Sequence, residues 1–466
     1  MTDDPTLRRA FELAQGFLAG VDARPVRARA DLATLRAGFD GGMPEHGEDA
    51  SAVVEWLAAA ADPGLIATAG PRYFGFVVGG STPAAIGADW LTSAWDQNGG
   101  LYALSPSAAV AEEVAGSWLL DLFGLPADAS FGFTTGATMA NFTALAAGRD
   151  AVLRARGWDV EEDGLFGAPP IDVIVGDESH VTIFASLQML GLGRGRVHRV
   201  AADEQGRMRA DELRTTLEGL EGPTIVCAQA GNVNTGAFDP LLEIATAVHE
   251  HGGWLHVDGA FGLWAAVAPS LRHLTTGLDL ADSWTTDSHK WLNVPYDSGL
   301  VFVRDRVAHH ASMTLGAAYY VETAGGERDP YNWVAESSRR ARGFTVLAAL
   351  RSLGRTGLVD LIERCCARAR QMAARLVVEP GVTVLNDVVL NQVLVRFDGG
   401  GDAAVGDALT RDVVARVQAD GTCWLGGTTW QGQGAMRVSV SSWKTTEADI
   451  DRSADAILRC LREARV

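Results

Sequence analysis

Lys290, in the segment SHKW, is the residue of this chain that most directly suggests chemistry. It lies in a polar turn between an apolar run, which is predicted to be a strand, and a second predicted strand at residues 300–303. A lysine amine held in such a turn can form a Schiff base with an aldehyde cofactor. An isolated His-Lys-Trp is more typical of a surface lysine beside a tryptophan, so the chemical interpretation requires a second group elsewhere in the chain.

The second group is Asp258, in the segment HVDGAF upstream of Lys290. It ends a predicted apolar strand, where a carboxylate is partly desolvated and therefore costly unless it pairs with a cation. A protonated pyridine nitrogen is such a cation, and the small side chain of Ala260 would let a flat ring lie against the strand. An anchor for the ring nitrogen and an amine for the aldehyde carbon are the two groups that a pyridoxal phosphate site needs most. Taken alone, Asp258 is equally typical of a turn or a helix N-cap.

A strand that turns into a helix through glycine is predicted at residues 133–148, FTTGATMANFTALAAG. Backbone N–H groups at the start of such a helix, together with its positive dipole end, bind phosphate well. The hydroxyls of Thr135 and Thr138 can add donors. By itself this motif is only a turn, but together with Lys290 and Asp258 it predicts a phosphate site.

Short apolar runs alternate with helical stretches between residues 65 and 350. This alternation predicts an α/β fold with a mostly parallel sheet covered by helices. Ligands of such sheets bind at the carboxyl ends of the strands. Four polar residues fall at or just after the end of a predicted strand or apolar run, and one pocket could collect them all: His180, Asn232, Asp258 and Lys290.

The segments on either side of this region differ from it. Residues 1–64 contain two predicted helices, 6–20 and 50–61. They are too few to fold alone, so we expect them to pack on their own domain or on a partner subunit. Residues 351–466 mix predicted helices and strands, which is typical of a separate, smaller α+β domain. The chain is therefore divided into an N-terminal helical segment, a large domain at 65–350 and a small C-terminal domain.

The bulk composition disfavours several classes of protein. Hydrophobic residues make up 47% and charged residues 21% of the 466 residues, as in an ordinary globular protein. A formal net charge of −19 argues against nucleic acid or an anionic membrane as the main partner. No stretch approaches the roughly 20 apolar residues of a membrane span, and no secretory signal is visible. The five cysteines lack CxxC spacing, so we expect reduced thiols in a cytoplasmic protein, with no disulfide framework and no metal site.

Taken together, the motifs resemble those of the group II pyridoxal-phosphate decarboxylases, the family of aromatic L-amino-acid, histidine and glutamate decarboxylases. The resemblance covers residues 65–350 and continues more weakly to the end of the chain. It rests on six segments in the family's order and spacing: SPSAAVAEEVAGSWLLDLFGLP, TTGATMAN, DESHVTIF, GNVNTGAFDP, HVDGAF and SHKW. It implies the transferase fold of the aspartate aminotransferase type (fold type I), with a mostly parallel seven-stranded sheet and a small C-terminal α+β domain. It also implies an obligate homodimer whose active site lies at the interface, with the N-terminal helices packed on the other subunit.

The resemblance assigns roles to individual residues. Lys290 would be the Schiff-base lysine, Asp258 the partner of the pyridinium, and His180 the histidine stacked on the ring. The complete set of predicted cofactor-binding residues is Ala137, Thr138, His180, Asn232, Asp258, Ala260, His289 and Lys290, and the predicted substrate side is formed by Tyr73, Phe74 and Phe76.

Two features depart from the family pattern. The family often has asparagine shortly before the lysine, whereas this chain has Asp287 and Ser288. Because a carboxylate would repel a phosphate, we expect Asp287 to point away from the phosphate site.

The second departure concerns the mobile loop that carries a proton-donating tyrosine in the aromatic decarboxylases. The matching region is AAYYVETAGGERDPYNW, residues 317–333, whose glycine pair and charges suit a lid. Tyr331 is the predicted acid, displaced by one position because of Pro330, and the alternatives are Tyr319, Tyr320 and His180 acting through water. An altered acid would favour another fate of the carbanion, such as oxidative deamination.

The implied activity is pyridoxal-phosphate-dependent decarboxylation of an L-amino acid to the amine and CO2. The aromatic-rich segment at residues 71–78 favours an aromatic substrate, whereas a glutamate-type substrate would need a cationic side chain that the sequence does not place. On the same fold, aldehyde synthesis by decarboxylation-dependent oxidative deamination and transamination are alternatives. A non-catalytic binding protein is disfavoured because Lys290 and Asp258 are both present.

Overall fold

The computed structural model describes residues 4–314 and 326–465 of the chain. Its α-helices are α1 Pro5–Gly20, α2 Leu32–Phe39, α3 Ala50–Ala61, α4 Pro83–Trp95, α5 Pro106–Phe123, α6 Ala137–Arg154, α7 Val160–Asp163, α8 Val181–Met189, α9 Ala210–Glu218, α10 Leu241–His251, α11 Arg306–Met313, α12 Gly343–Leu376, α13 Ala403–Asp420 and α14 Glu447–Ala464. Its strands are β1 Ser130–Thr134, β2 Asp172–Gly176, β3 His198–Val200, β4 Thr224–Gln229, β5 Trp254–Asp258, β6 Ser283–Asp287, β7 Gly299–Val303, β8 Val382–Val384, β9 Gln392–Phe397, β10 Gly426–Trp430 and β11 Gln433–Ser439.

The large domain is built on a seven-stranded sheet with the order β1-β7-β6-β5-β4-β2-β3. The strands β2 to β6 pair in parallel, whereas β7 runs antiparallel to both β6 and β1. Because β1 and β6 both oppose β7, β1 points in the same direction as the parallel strands. The predicted mostly parallel seven-stranded sheet is therefore confirmed, and the carboxyl ends of β1, β2, β4, β5 and β6 share one edge.

The central strands of this sheet are buried on both faces. Every residue of β1, β4, β5, β6 and β7 is buried, and runs such as GLVFV are typical of a sheet covered by helices on both sides. On one face lies α6, whose Ala140, Ala144 and Ala147 are fully buried. These small side chains let α6 pack closely on the sheet, so its N-terminus lies at the edge where the strands end.

A four-stranded antiparallel sheet with the order β10-β11-β9-β8 forms the small C-terminal domain, together with the end of α12, α13 and α14. Helix α14 begins with a capping box, in which the N–H of Asp449 donates to the hydroxyl of Thr446 at 3.2 Å and the N–H of Thr446 donates to Asp449 at 3.1 Å. The domain boundary predicted at residue 350 lies within α12, just before its kink at Gly354, where φ is 60°.

The N-terminal helices are only loosely covered within a single chain. Helices α1 and α3 confirm the two predicted helices, and α2 lies between them, yet none of the three contains a buried residue. Large apolar side chains are exposed along them: Leu7, Phe11, Leu32, Phe39, Trp56 and Leu57.

All five cysteines are buried and unpaired. Over residues 4–314 and 326–465, no helix combines the length and apolar character needed to cross a bilayer. Nor do three or more His, Cys, Asp or Glu side chains of this part of the chain gather in a way that could hold a metal ion.

Candidate active site

Several predicted site residues gather at the carboxyl edge of the large sheet. Asp258 is the last residue of β5, and Asp287 is the last residue of β6. Lys290 follows in the turn between β6 and β7, and His180 caps α8 after β2. Because these strands run in one direction, their ends bring His180, Asp258 and Lys290 into one region, as the sequence analysis predicts.

Asp258 is held at the end of β5 by two neutral donors. The side chain is buried, Oδ1 accepts from the backbone N–H of Ala260 at 3.1 Å, and Oδ2 accepts from Nδ2 of Asn141 at 3.2 Å. Asn141 lies on α6 and is fully buried. Neither donor is charged, so the negative charge of Asp258 remains available for a cationic partner.

His180 lies among the charged groups of the site. It caps the N-terminus of α8, and its Nδ1 lies 2.8 Å from Oγ1 of Thr182. Burial lowers the pKa of His180, the negative charge of Asp258 opposes this shift, and the positive charges of Lys290 and Arg437 reinforce it. These charges affect the imidazole because they lie near it, so His180 belongs to the same region as Asp258 and Lys290.

Helix α6 begins directly after β1 in a turn that lies against β7 and the end of β6. Its N-cap residue is Gly136, where a Cβ would lie 3.4 Å from Cε1 of His289 and 3.5 Å from Oδ1 of Asp287. A Cβ on Gly299 would lie 2.5 Å from Cα of Gly136, so β7 needs glycine to approach the helix start. The first backbone N–H groups of α6 and its positive dipole end therefore form an anion site at the end of β6.

Asp287 itself occupies this anion site. Its Oδ1 accepts from the backbone N–H of Ala137 at 2.6 Å, and its Oδ2 lies 3.0 Å from Nζ of Lys290. Nε2 of His289 lies 3.6 Å from Oδ1, and Thr138 follows Ala137 in the first turn of α6. The expectation that Asp287 points away from the phosphate site is wrong, because the lysine cation and the helix dipole stabilise a carboxylate there.

His289 packs between this anion site and an aromatic ring that the sequence analysis missed. The rings of His289 and Tyr296 are stacked, with centroids 4.2 Å apart. Nδ1 of His289 accepts from the backbone N–H of Ser298 at 3.3 Å, and burial lowers the pKa of the imidazole. Desolvation of the Tyr296 hydroxyl, and then the negative charge of Asp287, raise the pKa of Tyr296 to about 12 although much of its ring is exposed. The signal in the sequence was its place in the same segment as the lysine.

The aromatic segment that was predicted to line the substrate side lies against the lysine turn. A Cβ on Gly79 would lie 1.9 Å from the carbonyl oxygen of Lys290, so only glycine permits this approach. Tyr73 stacks on Trp424 with ring centroids 5.0 Å apart, and Phe76 lies 5.5 Å from the same indole. Tyr73, Phe76 and Trp424 therefore form one aromatic group, and Gly79, which follows Phe76 in the chain, brings this segment to the lysine turn.

Phe74 belongs to a different environment. Its side chain is buried in the core of the small domain with Phe397 and Met436. Its N–H donates to the carbonyl of Trp424 at 2.7 Å, and its carbonyl accepts from the N–H of Ser439 at 2.9 Å. The backbone of Phe74 thus joins the two domains, and the structure does not bring its side chain to the site.

Asn232 is committed to the turn after β4. Its side-chain oxygen accepts from the N–H groups of Asn234 at 2.8 Å and Thr235 at 3.2 Å, and its amide donates to the carbonyl of Glu178 at 3.3 Å. The structure places Asn232 at the correct edge of the sheet, where it ties together the loops that follow β4 and β2.

Tyr331 lies away from these residues within one chain. It is buried in the short 3₁₀-helix Pro330–Trp333, whose last carbonyl, that of Trp333, accepts from Nε2 of His309 at 2.9 Å. Nδ1 of His309 is in turn 2.8 Å from the hydroxyl of Ser130, the first residue of β1, which is the end of the strand opposite to the site. The alternative tyrosines named from the sequence lie outside the described residues: Tyr319 and Tyr320.

Arg437 is a cation near the site that the sequence analysis did not place. It lies on β11 of the small domain, and burial lowers its pKa. Among the residues that the structure describes it forms no ion pair, and its Nη1 donates to Oδ1 of Asn234 at 3.3 Å. The available signal was a single charge within the otherwise uncharged strand segment AMRVSVS, because a buried charge is costly unless it has a purpose.

These residues fit pyridoxal phosphate. Asp258 suits the ring nitrogen, Lys290 suits the aldehyde carbon, and the start of α6 suits the phosphate. The hydroxyls of Ser288 and Ser298, on either side of the lysine turn, are buried and meet no hydrogen-bond partner in the described part of the chain. Such hydroxyls are free to bond to a ligand.

Known proteins match the chain over most of its length. Residues 33–398 match the family model of the pyridoxal-dependent decarboxylase conserved domain. Tryptophan decarboxylase 1 of Oryza sativa subsp. japonica is 25% identical over 94% of this chain and 89% of its own length. L-2,4-diaminobutyrate decarboxylase of Rhizobium meliloti (strain 1021) is 31% identical over 81% of this chain and 75% of its own length. The crystal structure of Oryza sativa TDC with PLP and tryptamine aligns with a TM-score of 0.92 at 23% identity over 99% of each chain, which confirms the predicted fold type I architecture.

Proposed function

The chain belongs to the pyridoxal-dependent decarboxylase family and is a pyridoxal phosphate-dependent amino-acid decarboxylase, and on this premise we propose that its substrate is an aromatic L-amino acid. The products are then the aromatic amine and CO2. The observation that supports the substrate preference is the aromatic group of Tyr73, Phe76 and Trp424, because Tyr73 and Phe76 belong to the segment whose Gly79 lies against the lysine turn.

The protein residues divide the work of holding the cofactor and the substrate. Pyridoxal phosphate, when bound, supplies an electron sink for the bond that breaks at Cα. In this proposal Lys290 holds the aldehyde carbon, Asp258 holds the protonated ring nitrogen and His180 packs against the ring. The start of α6, at Ala137, and the imidazole of His289 hold the phosphate.

Arg437 is proposed to bind the carboxylate of the amino acid. A partly buried guanidinium that forms no ion pair with the described residues is costly unless an anion joins it. Its position near His180 would orient the carboxylate beside the cofactor ring. It would also provide a local positive charge in a chain whose formal net charge is −19.

The same arginine supports a second candidate substrate, an amino acid with an acidic side chain. Such a substrate needs a cationic partner for that side chain, and Arg437 is the cation that the sequence analysis lacked. In this case the arginine would select the side chain instead of the carboxylate that leaves as CO2.

A panel of amino acids distinguishes these candidates. The holoenzyme is incubated with the twenty standard amino acids, ornithine and diaminobutyrate, and CO2, amine and hydrogen peroxide are measured together. We expect an aromatic substrate to give CO2 and amine in equal amounts without peroxide. Turnover of glutamate or aspartate alone would refute the aromatic preference, and peroxide would indicate aldehyde synthesis.

The proton that reaches Cα is proposed to come from a tyrosine hydroxyl. Tyr331 is the residue favoured by the family resemblance, although within one chain it lies near the start of β1. Tyr296 is a competing donor beside His289, and its raised pKa keeps the hydroxyl protonated at neutral pH. Comparing Tyr331→Phe with Tyr296→Phe identifies the donor, because loss of a general acid costs roughly 10²–10⁴ in rate.

We also propose that the protein is a homodimer that forms its active site at the interface and functions in the cytoplasm. The helices α1 to α3 bury no side chain within one chain, and a large apolar surface of this kind normally meets a partner. The five buried, unpaired thiols agree with a reducing compartment. Sedimentation of wild-type and Trp56→Asp protein tests the dimer, and the variant should sediment as a monomer. The apolar side chains that a second copy would cover are Leu7, Phe11, Trp56, Leu57, Trp90 and Trp95.

A further inference from the structure

Asn141 uses every hydrogen-bonding position of its amide within the protein. Its Nδ2 donates to Oδ2 of Asp258 at 3.2 Å and to Oγ1 of Thr182 at 3.3 Å. Its Oδ1 accepts from Nε2 of His256 at 3.0 Å and from Oγ1 of Thr285 at 2.7 Å. Because an amide has two N–H donors and an oxygen with two lone pairs, the buried side chain is fully satisfied in one orientation.

Hydrogen bonds among residues of β5 and β6 set the orientation of the Asn141 amide. They run from Trp254 through Ser283 to His256. Nε1 of Trp254, which can only donate, lies 3.0 Å from Oγ of Ser283. The same hydroxyl lies 3.0 Å from Nδ1 of His256. The serine oxygen accepts the tryptophan proton, and its own proton is then free to bond to Nδ1 of His256.

His256 in turn determines which side of the Asn141 amide faces it, through the contact between its Nε2 and Oδ1 of Asn141. Complete burial lowers the pKa of His256 to about 4, against the opposing effect of Asp258, so the imidazole is neutral at neutral pH. A neutral imidazole that accepts at Nδ1 donates from Nε2, and its acceptor is then the amide oxygen of Asn141. The amide N–H groups must point the other way, toward Asp258. The carboxylate of Asp258 requires the same direction, because it can only accept.

A branch of the same network reaches His180. The second N–H of Asn141 is directed at Oγ1 of Thr182, whose own proton is then free for Nδ1 of His180, 2.8 Å away. His180 therefore accepts at Nδ1 and carries its proton on Nε2. The backbone N–H of Thr182 also donates to Nδ1 of His180, at 3.4 Å, so the amide of Asn141 and the start of α8 favour the same state of this residue.

We propose that Asn141 is a positioning residue that holds Asp258 as an acceptor for the ring nitrogen and holds His180 in the Nε2–H tautomer. A relay that starts at Trp254 fixes the direction of its amide. The inference rests on the roles proposed for Asp258 and His180 in binding the cofactor. All members of the relay lie on β5, β6, α6 and the start of α8, so its direction is a property of the fold and exists before the cofactor binds.

The direction of the relay can be measured without the cofactor. In apoprotein labelled with ¹⁵N-histidine, we expect the ring nitrogens of His256 to show a proton on Nε2 and an acceptor at Nδ1. Trp254→Phe removes one determinant of the direction while Asp258 keeps the other, so we expect the Nε2–H tautomer of His256 to persist in this variant, and both tautomers to appear when Asp258→Asn is combined with it. The matched control is Thr143→Val, because Thr143 is fully buried on α6 and its hydroxyl donates to the carbonyl of Met139 at 2.9 Å, within the same helix. A wild-type His256 with its proton on Nδ1 would overturn the proposal, and this measurement needs no variant to fold.

Cofactor affinity tests the consequence for Asp258. Asn141→Asp replaces the donor by a second carboxylate, and two carboxylates this close share a proton, which reduces the charge offered to the ring nitrogen. We expect the dissociation constant for pyridoxal phosphate to rise about 10- to 100-fold, as for other outer partners of a liganding group, while Thr143→Val changes it by less than about twofold.

The variant Asp258→Asn distinguishes a failure of the role proposed for Asp258 from a failure of the relay through Asn141. If Asp258→Asn binds pyridoxal phosphate as tightly as wild type, the proposed role of Asp258 itself has failed. If Asp258→Asn weakens binding and Asn141→Asp does not, the role of Asp258 stands and the relay is overturned. Circular dichroism of each variant shows that the compared proteins are folded.

Discussion

Asp258 and Asp287 end neighbouring parallel strands, β5 and β6, yet the protein holds the two carboxylates in different ways. Asp258 accepts from two neutral donors, the amide of Asn141 and the N–H of Ala260. Asp287 is bound to a cation and to the positive end of a helix, through Lys290 and the N–H of Ala137.

The two carboxylates differ in how much of their negative charge is still uncompensated and can attract a ligand. Neutral donors orient Asp258 without cancelling its charge, so an incoming pyridinium meets a prepared partner. The charge of Asp287 is already compensated, and it occupies the N–H group of Ala137 that suits the phosphate. The same residue type therefore prepares one end of the site and competes with the ligand at the other end.

The largest expected effect is the loss of activity in Asp258→Asn. Asparagine fills the same space but cannot stabilise the protonated ring nitrogen, so we expect kcat to fall by about 10²–10³, the range for removal of one preorganised electrostatic partner. Asp287→Asn is the matched variant, because it makes the same chemical change at the end of the next strand. A similar loss of kcat in both variants would show that the two carboxylates are not functionally different.

The free energy of unfolding should also depend on pH through the histidines beside the two carboxylates, His256 near Asp258 and His289 near Asp287. The pKa of His256, which supports Asp258, is lowered by burial from its ordinary value of 6.5 to about 4. Between these values the unfolded chain binds a proton that the folded protein does not, so stability falls as the pH falls below about 6.5. At pH 5 this one group costs about 2 kcal/mol.

His256→Gln tests this sign and magnitude. Glutamine does not titrate, so the difference in free energy of unfolding between pH 7 and pH 5, measured in urea, should shrink by about 2 kcal/mol relative to wild type. His289→Gln at the other end of the site provides the comparison, because burial lowers the pKa of His289 while Asp287 opposes the shift, as Asp258 does for His256. An unchanged pH dependence in His256→Gln would contradict a neutral, fully buried imidazole.

The sequence predicted those parts of the site that depend on strand order and missed those that depend on tertiary neighbours. Lys290, Asp258 and His180 follow strand ends, and parallel strands bring their ends together whatever the detail of packing. Arg437 was missed because β11 belongs to the other domain, and nothing local shows that this strand faces the site. Asp287 was misjudged for a similar reason, since charge repulsion was weighed without the cation and the helix start that lie beside it.

In the fold as well, the features that depend on local sequence patterns were predicted, and those that depend on tertiary neighbours were not. Helices α1 and α3 and the mostly parallel sheet follow from periodicity and from the alternation of strands and helices, whereas the number of seven strands was implied by the family resemblance. The environment of Phe74 could not be predicted, because it depends on how residues 71–74 pair with Trp424 and Ser439 across the domain boundary. The relay through Asn141 was equally hidden, because its members are scattered along the chain from Asn141 to Thr285 and meet only in the packed sheet.

The smallest expected effect is a gain in cofactor affinity in Asp287→Asn. Asparagine keeps an oxygen that can accept from the N–H of Ala137, so the start of α6 is preserved, while the negative charge that competes with the phosphate is removed. We expect the dissociation constant for pyridoxal phosphate, followed by absorbance or fluorescence of apoprotein, to fall about tenfold, which corresponds to about 1.4 kcal/mol. Asp305→Asn is the control, because it changes the net charge equally at the N-cap of α11. If Asp287→Asn instead weakens binding while Asp305→Asn does not, the carboxylate is part of the phosphate site, and the contrast between the two strand ends is lost.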